Sequence, residues 1–396
     1  MNYLVKNILI WRYTIPISYL FVFLALSTEI TANLFNTRII SELLPAVFLA
    51  LFLLQFILRY EGRFIDSTHS VILFVLLGYI VLYFIFINFE EPLRIVYLAK
   101  YIALTVAFFM VFKTKDQDDR WIVNVLRFFV LLLTFYSVFS ILSILFGVGI
   151  SSSDHTDYGL LNFAVHIGRG SGGQSGTISY AATLVMALPL VVLFRDNKII
   201  FFSILTLIIL GIVSSGGRAA FISSILYVLV SNSSIFPRLK SKKNLIFLIL
   251  PIVFLGSLSD RLFNERIFGA DLQRLETYLS FFDIDRGWDI VLGFGIGYTS
   301  PGIFHLAGYS ITGFESYILN TLGELGLVGG TVFGFLILLR IVNLSKRHKF
   351  FFNFFVTQIP IFFLQIAHEN FTVLSLFCFL MILLTSLSKE SLDKYV

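Results

Sequence analysis

The stretch WIVNVLRFFVLLLTFYSVFSILSILFG, residues 121–147, decides the fold class, because it contains one charged residue, Arg127, in a long and mostly apolar run. At 1.5 Å per residue, an α-helix of this length is long enough to cross a bilayer hydrocarbon core of about 30 Å. The stretch therefore predicts a transmembrane helix.

The composition extends this prediction to the whole chain. Hydrophobic residues make up 57% and charged residues 13% of the 396 residues, whereas soluble domains are about 25% charged. The 46 phenylalanines suit surfaces that face lipid. The net charge of +5 does not indicate a nucleic-acid partner, because the basic residues lie between apolar blocks. We expect a single, all-α, polytopic membrane domain over residues 1–396, in contact with the lipid bilayer.

Apolar blocks of transmembrane length recur about twelve times. They lie at residues 14–34, 43–58, 69–89, 94–112, 121–147, 176–194, 199–215, 218–236, 244–259, 314–339, 350–367 and 370–388.

The basic residues predict the orientation of these spans. With twelve spans, most of the 29 lysines and arginines fall in the two termini and in alternate connectors, such as those with Arg195, Lys198, Arg340 and Arg347. Short loops rich in Lys and Arg mark the cytoplasmic side. Both termini are therefore expected in the cytoplasm.

Two connectors on the opposite side are much longer than the others. Residues 148–175 are rich in Gly and Ser, and residues 259–313 begin with apolar residues at helical spacing over 261–282. This spacing predicts an amphipathic helix near the membrane surface. A glycine-rich turn segment follows at Gly293–Tyr298. Long loops are often functional.

Three arginines are candidates for binding an anion on this side. Arg218 follows Ser214-Ser215-Gly216-Gly217, where a tight turn would place it at a helix N-terminus and favour an anion. The alternative is an arginine that reaches the lipid headgroups. Arg169 lies in a Gly/Ser loop, and Arg274 lies on the amphipathic helix four residues before Tyr278. Arginine binds phosphate oxygens in a bidentate manner, so a phosphate-bearing ligand is expected.

Glu315 and His305 are the candidates for a general base. His305 titrates near neutral pH, and partial burial would raise the pKa of Glu315. A helix-starting charge is the alternative role of Glu315. The sequence has no Asp-rich Mg²⁺ motif, and the single cysteine, Cys378, excludes a cysteine cluster. No metal or cofactor is therefore expected.

The order of these features resembles the O-antigen polymerase and ligase superfamily, which contains the Wzy-type polymerases. The similar segments are Ser215–Arg218; Arg274, Tyr278 and Gly293–Gly297; Glu315–Tyr317 with Glu324–Gly329; and the loop arginine Arg169. The ligase branch usually carries His-Asn where this chain has Glu315-Ser316, which favours a polymerase.

The resemblance implies a GT-C-like bundle in a bacterial inner membrane, with the long loops in the periplasm. The implied activity is a metal-independent glycosyltransferase that joins undecaprenyl-diphosphate-linked repeat units into O-antigen or a similar surface polysaccharide, as in lipopolysaccharide biosynthesis. Arg218 and Arg274, with Arg169, would neutralise the diphosphate, Tyr278 would contact the glycan, and Glu315 or His305 would act as base. A chain-length regulator protein stays an open partner.

Three alternatives remain. The ligase would transfer the finished glycan to lipid A-core. A flippase or other transporter for lipid-linked oligosaccharide also suits twelve spans, although transporters usually gather polar residues at mid-membrane on broken helices. A structural membrane scaffold is the third.

Overall fold

The computed structural model describes the chain in segments. They are residues 16–28, 47, 49–52, 63–64, 75, 77–82, 84–85, 95–111, 119–146, 177–231, 288–296, 316–364 and 371–395. The predicted span 244–259, the loop 148–175 and the amphipathic helix 261–282 lie outside the described residues, as does all of the loop 259–313 except 288–296.

The described part of the chain is almost entirely helical. Its helices are α1 (Pro16–Leu26), α2 (Ile95–Phe109), α3 (Asp119–Phe146), α4 (Thr177–Ala187), α5 (Lys198–Ser215), α6 (Arg218–Ser231), α7 (Trp288–Leu292), α8 (Tyr317–Arg347), α9 (Lys349–Leu364), α10 (Phe371–Ser386) and α11 (Lys389–Tyr395). A 3₁₀ helix, Leu188–Phe194, continues α4. The two-residue strands Arg63–Phe64 (β1) and Met110–Val111 (β2) pair in antiparallel fashion, with Arg63 opposite Val111.

Several helix boundaries agree with the sequence prediction to within a few residues. The span predicted over 121–147 is α3, 199–215 is α5, 350–367 is α9 and 370–388 is α10. The prediction succeeded because turn residues mark these ends. Asn197 caps α5, accepting hydrogen bonds from the backbone nitrogens of Ile199 and Ile200 at 3.1 and 3.2 Å.

Some of these helices are long and apolar enough to cross a membrane. Among the described residues, three helices have the length and apolar composition needed to cross a membrane: Asp119–Leu142, Lys198–Ser215 and Tyr317–Arg347. There is a fourth such span if α10 and α11, which are bent by 106° at a short break, are counted as one. Further apolar helices, such as α1, α2 and α6, are shorter. The chain thus has the apolar helices of a membrane protein, while the number twelve stays a prediction.

The apolar side chains exposed on the surface of the bundle also fit a membrane environment. One face of α8 leaves Val332, Phe335 and Leu338 half-exposed or more, and α6 leaves Leu229 65% exposed. Water would disfavour such continuous apolar faces, whereas lipid would not. In contrast, α10 is buried on every side, from Thr372 to Leu387, including the packed Cys378. A helix that is apolar all round and fully buried forms the centre of a bundle.

Phenylalanine rings join the central helix to its neighbours. Phe377 of α10 packs against Phe108, Phe354 and Phe362, with ring centroids 6.0, 6.2 and 5.4 Å apart. Phe21 of α1 packs against Phe379 at 4.6 Å. The abundance of Phe thus serves the interior of the bundle as well as its lipid-facing surface.

Arginines of the described segments bind the last carbonyls of neighbouring helices. Arg340 Nε donates to the carbonyl of Phe108 at 2.8 Å, and Arg127 Nη2 donates to that of Leu193 at 3.0 Å. Arg347 donates to the carbonyls of Thr385 and Leu387 at the end of α10, and Arg195 donates to those of Asp393 and Lys394 at the end of α11. The last carbonyls of a helix lack intrahelical donors and carry its negative pole, so a guanidinium satisfies both needs.

This pattern corrects one sequence-based assignment. Arg340 was expected in a connector after a span that ended near residue 339, but it lies inside α8, which continues to Arg347, and it is only 9% exposed. Its bond to Phe108 at the end of α2 explains why the charge is buried rather than placed in a loop.

Connectors that were predicted to share one side of the membrane lie in contact. Asp119, at the start of α3, accepts hydrogen bonds from the Ser388 hydroxyl at 2.7 Å and the Ser388 nitrogen at 3.2 Å. His348 Nε2 lies 3.3 Å from an Asp393 carboxylate oxygen. Together with the bonds of Arg195 and Arg347, these contacts gather three connectors and the C-terminal segment at one end of the bundle. The side of the membrane on which this end lies stays a prediction.

Candidate functional site

A buried ion pair joins α2 to α8. Lys100 Nζ lies 3.1 Å from Glu324 Oε2, and the two side chains are 1% and 0% exposed. The Tyr101 hydroxyl donates to the same oxygen at 2.5 Å. A charge removed from water costs several kcal/mol unless it is paired and hydrogen-bonded. Glu324 meets this condition because a cation and a hydroxyl converge on one oxygen.

Aromatic rings complete the surroundings of Lys100. Its Nζ lies 4.9 Å from the centroid of the Tyr101 ring and 5.5 Å from that of Tyr317, distances at which a ring face attracts a cation. Tyr101 packs edge-on against Phe333 at 5.5 Å, and Tyr317 packs against Phe362 at 5.5 Å. The ammonium is therefore held by one carboxylate and two ring faces.

The ion pair lies beside a break in α8, which we call the α8 break (Gly323–Gly326). Gly326 has φ 71° and ψ 175°, which is not helical. Two carbonyls of this turn are used from outside the helix: Phe294 N donates to the Gly323 oxygen at 2.8 Å, and Gly295 N donates to the Glu324 oxygen at 3.3 Å. Residue 324 thus binds α2 through its side chain and the 293–295 segment through its backbone.

Only glycine fits at position 326. Its positive φ strains any residue that carries a Cβ. An added Cβ would also collide with the Val291 carbonyl oxygen and the Leu292 carbonyl carbon, and would lie 2.5 Å from the Gly293 nitrogen. The backbone of the segment after α7 therefore lies directly against the backbone of α8.

The glycines predicted to form a turn do so. Gly293 and Gly295 have φ values of 93° and 104°, and Ile296 beyond them is fully buried. Two segments that carry the family resemblance, Gly293–Gly297 and Glu324–Gly329, are thus in contact through residues 294–295 and 323–324. Tyr79 covers the same region, since its hydroxyl donates to the Leu325 carbonyl at 3.5 Å.

Ser316 begins α8 as its N-cap. The residue is 1% exposed, has extended backbone angles, and accepts a hydrogen bond from Leu319 N at 3.4 Å. Asn320, one turn later, is fully buried. The first turns of α8 are therefore fixed in the bundle, immediately after the candidate base at position 315.

The predicted turn before Arg218 is present. Gly216 has φ 65° and ends α5, and Gly217 N donates to the Ser215 hydroxyl at 3.2 Å. A Cβ on Gly217 would lie 2.9 Å from the Cβ of Ala181, so this glycine permits close packing against α4. The helix then begins at Arg218, as expected.

The other predicted site residues lie outside the described residues. They are Arg169, Arg274, Tyr278, His305 and Glu315. For Arg218 the structure gives the backbone position, at the start of α6. The convergence of these residues on one site stays a prediction.

Sequence analysis gave no role to Lys100 and used Glu324 only as part of a motif. The signal was nevertheless present, because each is a charge within an apolar stretch: Lys100 in IVYLAKYIALTVAFF and Glu324 in the first turns of α8. Ionisable residues inside transmembrane segments are rare and usually pair with one another. Lone charges of opposite sign on two spans thus indicated a partner for each.

Among the described residues, no group of three or more His, Cys, Asp or Glu could hold a metal ion. No protein-family model and no curated protein matches the chain.

Proposed function

We propose that this chain is a metal-independent membrane glycosyltransferase that polymerises undecaprenyl-diphosphate-linked repeat units into O-antigen or a similar surface polysaccharide. The reaction would take place on the periplasmic face of a bacterial inner membrane, with both termini in the cytoplasm. The observation that carries the proposal is the contact between Gly293–Gly295 and the α8 break. These segments belong to separate parts of the family resemblance, and the contact explains why both need glycines.

The proposed chemistry joins two lipid-linked glycans. The acceptor hydroxyl oxygen forms a bond to the anomeric carbon of the donor glycan, and the bond from that carbon to the lipid diphosphate breaks. Glu315 or His305 takes the hydroxyl proton. Arg218 and Arg274, with Arg169, neutralise the charge on the leaving diphosphate, a contribution worth about 3–4 kcal/mol per donor in other enzymes. Tyr278 contacts the glycan.

The position of Arg218 supports this role. A helix N-terminus presents unpaired N–H groups and a positive pole, so an arginine there adds its charge to an existing anion site. Glu315 immediately precedes Ser316, the buried N-cap of α8, and this place in the chain supports its proposed role. Orientation of the reacting groups accounts for much of the rate of enzymes that join two bound substrates.

The test is complementation of a strain that lacks this gene. Arg218→Ala and Arg274→Ala should each abolish long glycan chains and leave single-repeat glycans on lipid A-core, with membrane abundance unchanged. Arg120→Ala is the matched control, since Arg120 is exposed at the opposite end of the bundle. Near-normal chain lengths in both test variants would overturn the mechanism.

The strain that lacks the gene also distinguishes a polymerase from a ligase, because loss of a ligase leaves finished polymer on its lipid carrier. A scaffold would tolerate both substitutions.

One observation favours a transporter as the second candidate. The α8 break places Glu324, one member of a buried ion pair, beside a non-helical turn, and transporters use broken helices for substrate or ion sites. Purified protein in vesicles that contain lipid-linked oligosaccharide separates the two functions. Movement of the lipid across the bilayer without any change in glycan length would support the transporter and contradict the polymerase.

A further inference from the structure

The buried face of α6 is polar. Ser223, Tyr227 and Ser231 follow one another at four-residue spacing and are 0–1% exposed. Ile222 and Leu229 on the opposite face are exposed. This is the reverse of a soluble amphipathic helix, and it points hydroxyl groups into the bundle.

Helix α9 packs along α6 over much of its length. It contributes Asn353 and Thr357, which are 7% and 0% exposed. No Lys, Arg, Asp or Glu occurs in residues 219–231 or 350–364. We call the contact between the buried face of α6, which carries Ser223, Tyr227 and Ser231, and α9, which carries Asn353 and Thr357, the polar seam. The Thr357 hydroxyl donates to the Phe354 carbonyl of its own helix at 2.7 Å.

Some polar atoms on the two helices have no hydrogen-bond partner among the described residues. Ser223 Oγ and Asn353 Oδ1 are buried, and within the described part of the chain Ser223 Oγ makes no hydrogen bond and Asn353 Oδ1 accepts none. Gln358, one residue beyond Thr357, has neither its Nε2 nor its Oε1 bonded and is 1% exposed. In a lipid-embedded bundle such groups are costly, because no bulk solvent is available to satisfy them.

We propose that the polar seam binds water and forms a hydrated crevice within the bundle. A buried water needs two to four polar partners. Both helices carry buried polar atoms that make no hydrogen bond to the described residues, and these atoms would bind the water. The absence of charged residues in these stretches of α6 and α9 selects a neutral hydrogen-bonding occupant over an ion. The seam begins below the turn at Gly216–Gly217, so water would reach it from that end of α6. The proposal does not depend on the glycosyltransferase assignment.

Cysteine accessibility tests the crevice directly. The single native cysteine, Cys378, is 1% exposed in α10 and is replaced by serine to give a thiol-free background. Ser223→Cys and Asn353→Cys are the test variants in nanodiscs, with Leu229→Cys and Ile359→Cys as controls on the lipid-facing sides of the same helices. The probe is a charged, membrane-impermeant methanethiosulfonate.

A thiol reacts as its thiolate, which forms only where water is present. Both seam cysteines should therefore react about tenfold or more faster than the lipid-facing controls. Equal rates at the seam and the lipid face would overturn the proposal. Labelling after denaturation gives the total thiol for each variant.

Hydroxyl-radical footprinting of the unsubstituted protein gives a second test that needs no variant. Tyr227 on the seam and Tyr180 of α4 are 1% and 0% exposed, but the Tyr180 hydroxyl donates to Ser137 Oγ of α3 at 3.2 Å. Radicals formed from crevice water should oxidise Tyr227 several-fold faster than Tyr180. Equal and low oxidation of the two tyrosines would refute a hydrated seam.

Discussion

Lys100 Nζ and Glu324 Oε2 lie 3.1 Å apart although 224 residues separate them in sequence. Lys100 lies about one and a half turns into α2, and Glu324 lies within the α8 break. The pair therefore links the N-terminal halves of α2 and α8 at the point where α8 is interrupted. It also holds the carbonyl of residue 324 in place to accept the hydrogen bond from Gly295.

Removal of one partner of this pair should destabilise the protein more than removal of both. Glu324→Leu removes the carboxylate that lies 3.1 Å from the buried Lys100 ammonium, and loss of one member of a buried ion pair costs about 3–5 kcal/mol. The double variant Lys100→Met, Glu324→Leu should recover most of that loss, because replacement of a buried pair by apolar side chains is often neutral. Melting temperatures in detergent compare the stability of the single and the double variant. A double variant no more stable than the single one would show that the pair does not act as a unit.

Gly326→Ala should disrupt the contact between α8 and the 293–295 segment. The backbone of Gly326, with positive φ and ψ of 175°, alone costs roughly 1–3 kcal/mol for a residue with a Cβ. The collision with residues 291–293 adds to this cost. Gly334→Ala is the matched control in the same helix, since nothing lies within 4 Å of its added Cβ. That change should be neutral or stabilise by up to ~1 kcal/mol. Equal melting temperatures for the two variants would contradict the constraint at Gly326.

Arg340→Met should destabilise the bundle by about 1–3 kcal/mol, because it leaves the Phe108 carbonyl without its donor. Lys346→Met, on an exposed position of the same helix, removes an equal charge and should cost much less. Chemical denaturation gives the free energy of unfolding of both variants. A similar loss in both variants would mean that net charge, rather than the carbonyl bond, stabilises this end of the bundle.

His348 should make stability depend on pH. Burial lowers its pKa below the usual 6.5, partly opposed by Asp393, while Lys389 and Arg347 lower it further. The unfolded chain therefore takes up a proton before the folded one, so the contribution is complete above pH 6.5 and is lost as the pH falls towards the lowered value. Melting temperatures between pH 7.5 and about 5 should fall less in His348→Gln than in the parent. Parallel curves would exclude His348 as the source.

Arg218→Lys distinguishes the two roles considered for Arg218. A guanidinium that binds diphosphate through two parallel hydrogen bonds has no equivalent in an ammonium, so polymer length should fall sharply. A residue that only reaches lipid headgroups would tolerate lysine. Glycan length in the complemented strain is the measurement, and full-length polymer with Arg218→Lys would favour the headgroup role.

The positions of the helices follow from local features of the sequence. The apolar stretch after Trp121, the asparagine before α5 and the glycines after it mark where helices begin and end, because each acts through its immediate neighbours. The Gly216–Gly217 turn and the start of α6 at Arg218 were predictable for the same reason. The break at Gly326 was not, because neighbouring residues of α8 are compatible with an uninterrupted apolar helix.

What the sequence determined by itself is a bundle of apolar helices with basic residues collected at one end, since hydrophobic length and capping depend on residues close in the chain. The tertiary structure alone decided which distant groups pair. It joined Lys100 to Glu324, Arg340 to the Phe108 carbonyl, and the 293–295 backbone to Gly323 and Glu324. A buried charge or carbonyl that is removed from bulk water needs a partner, and only the packed arrangement of helices determines which one lies within reach.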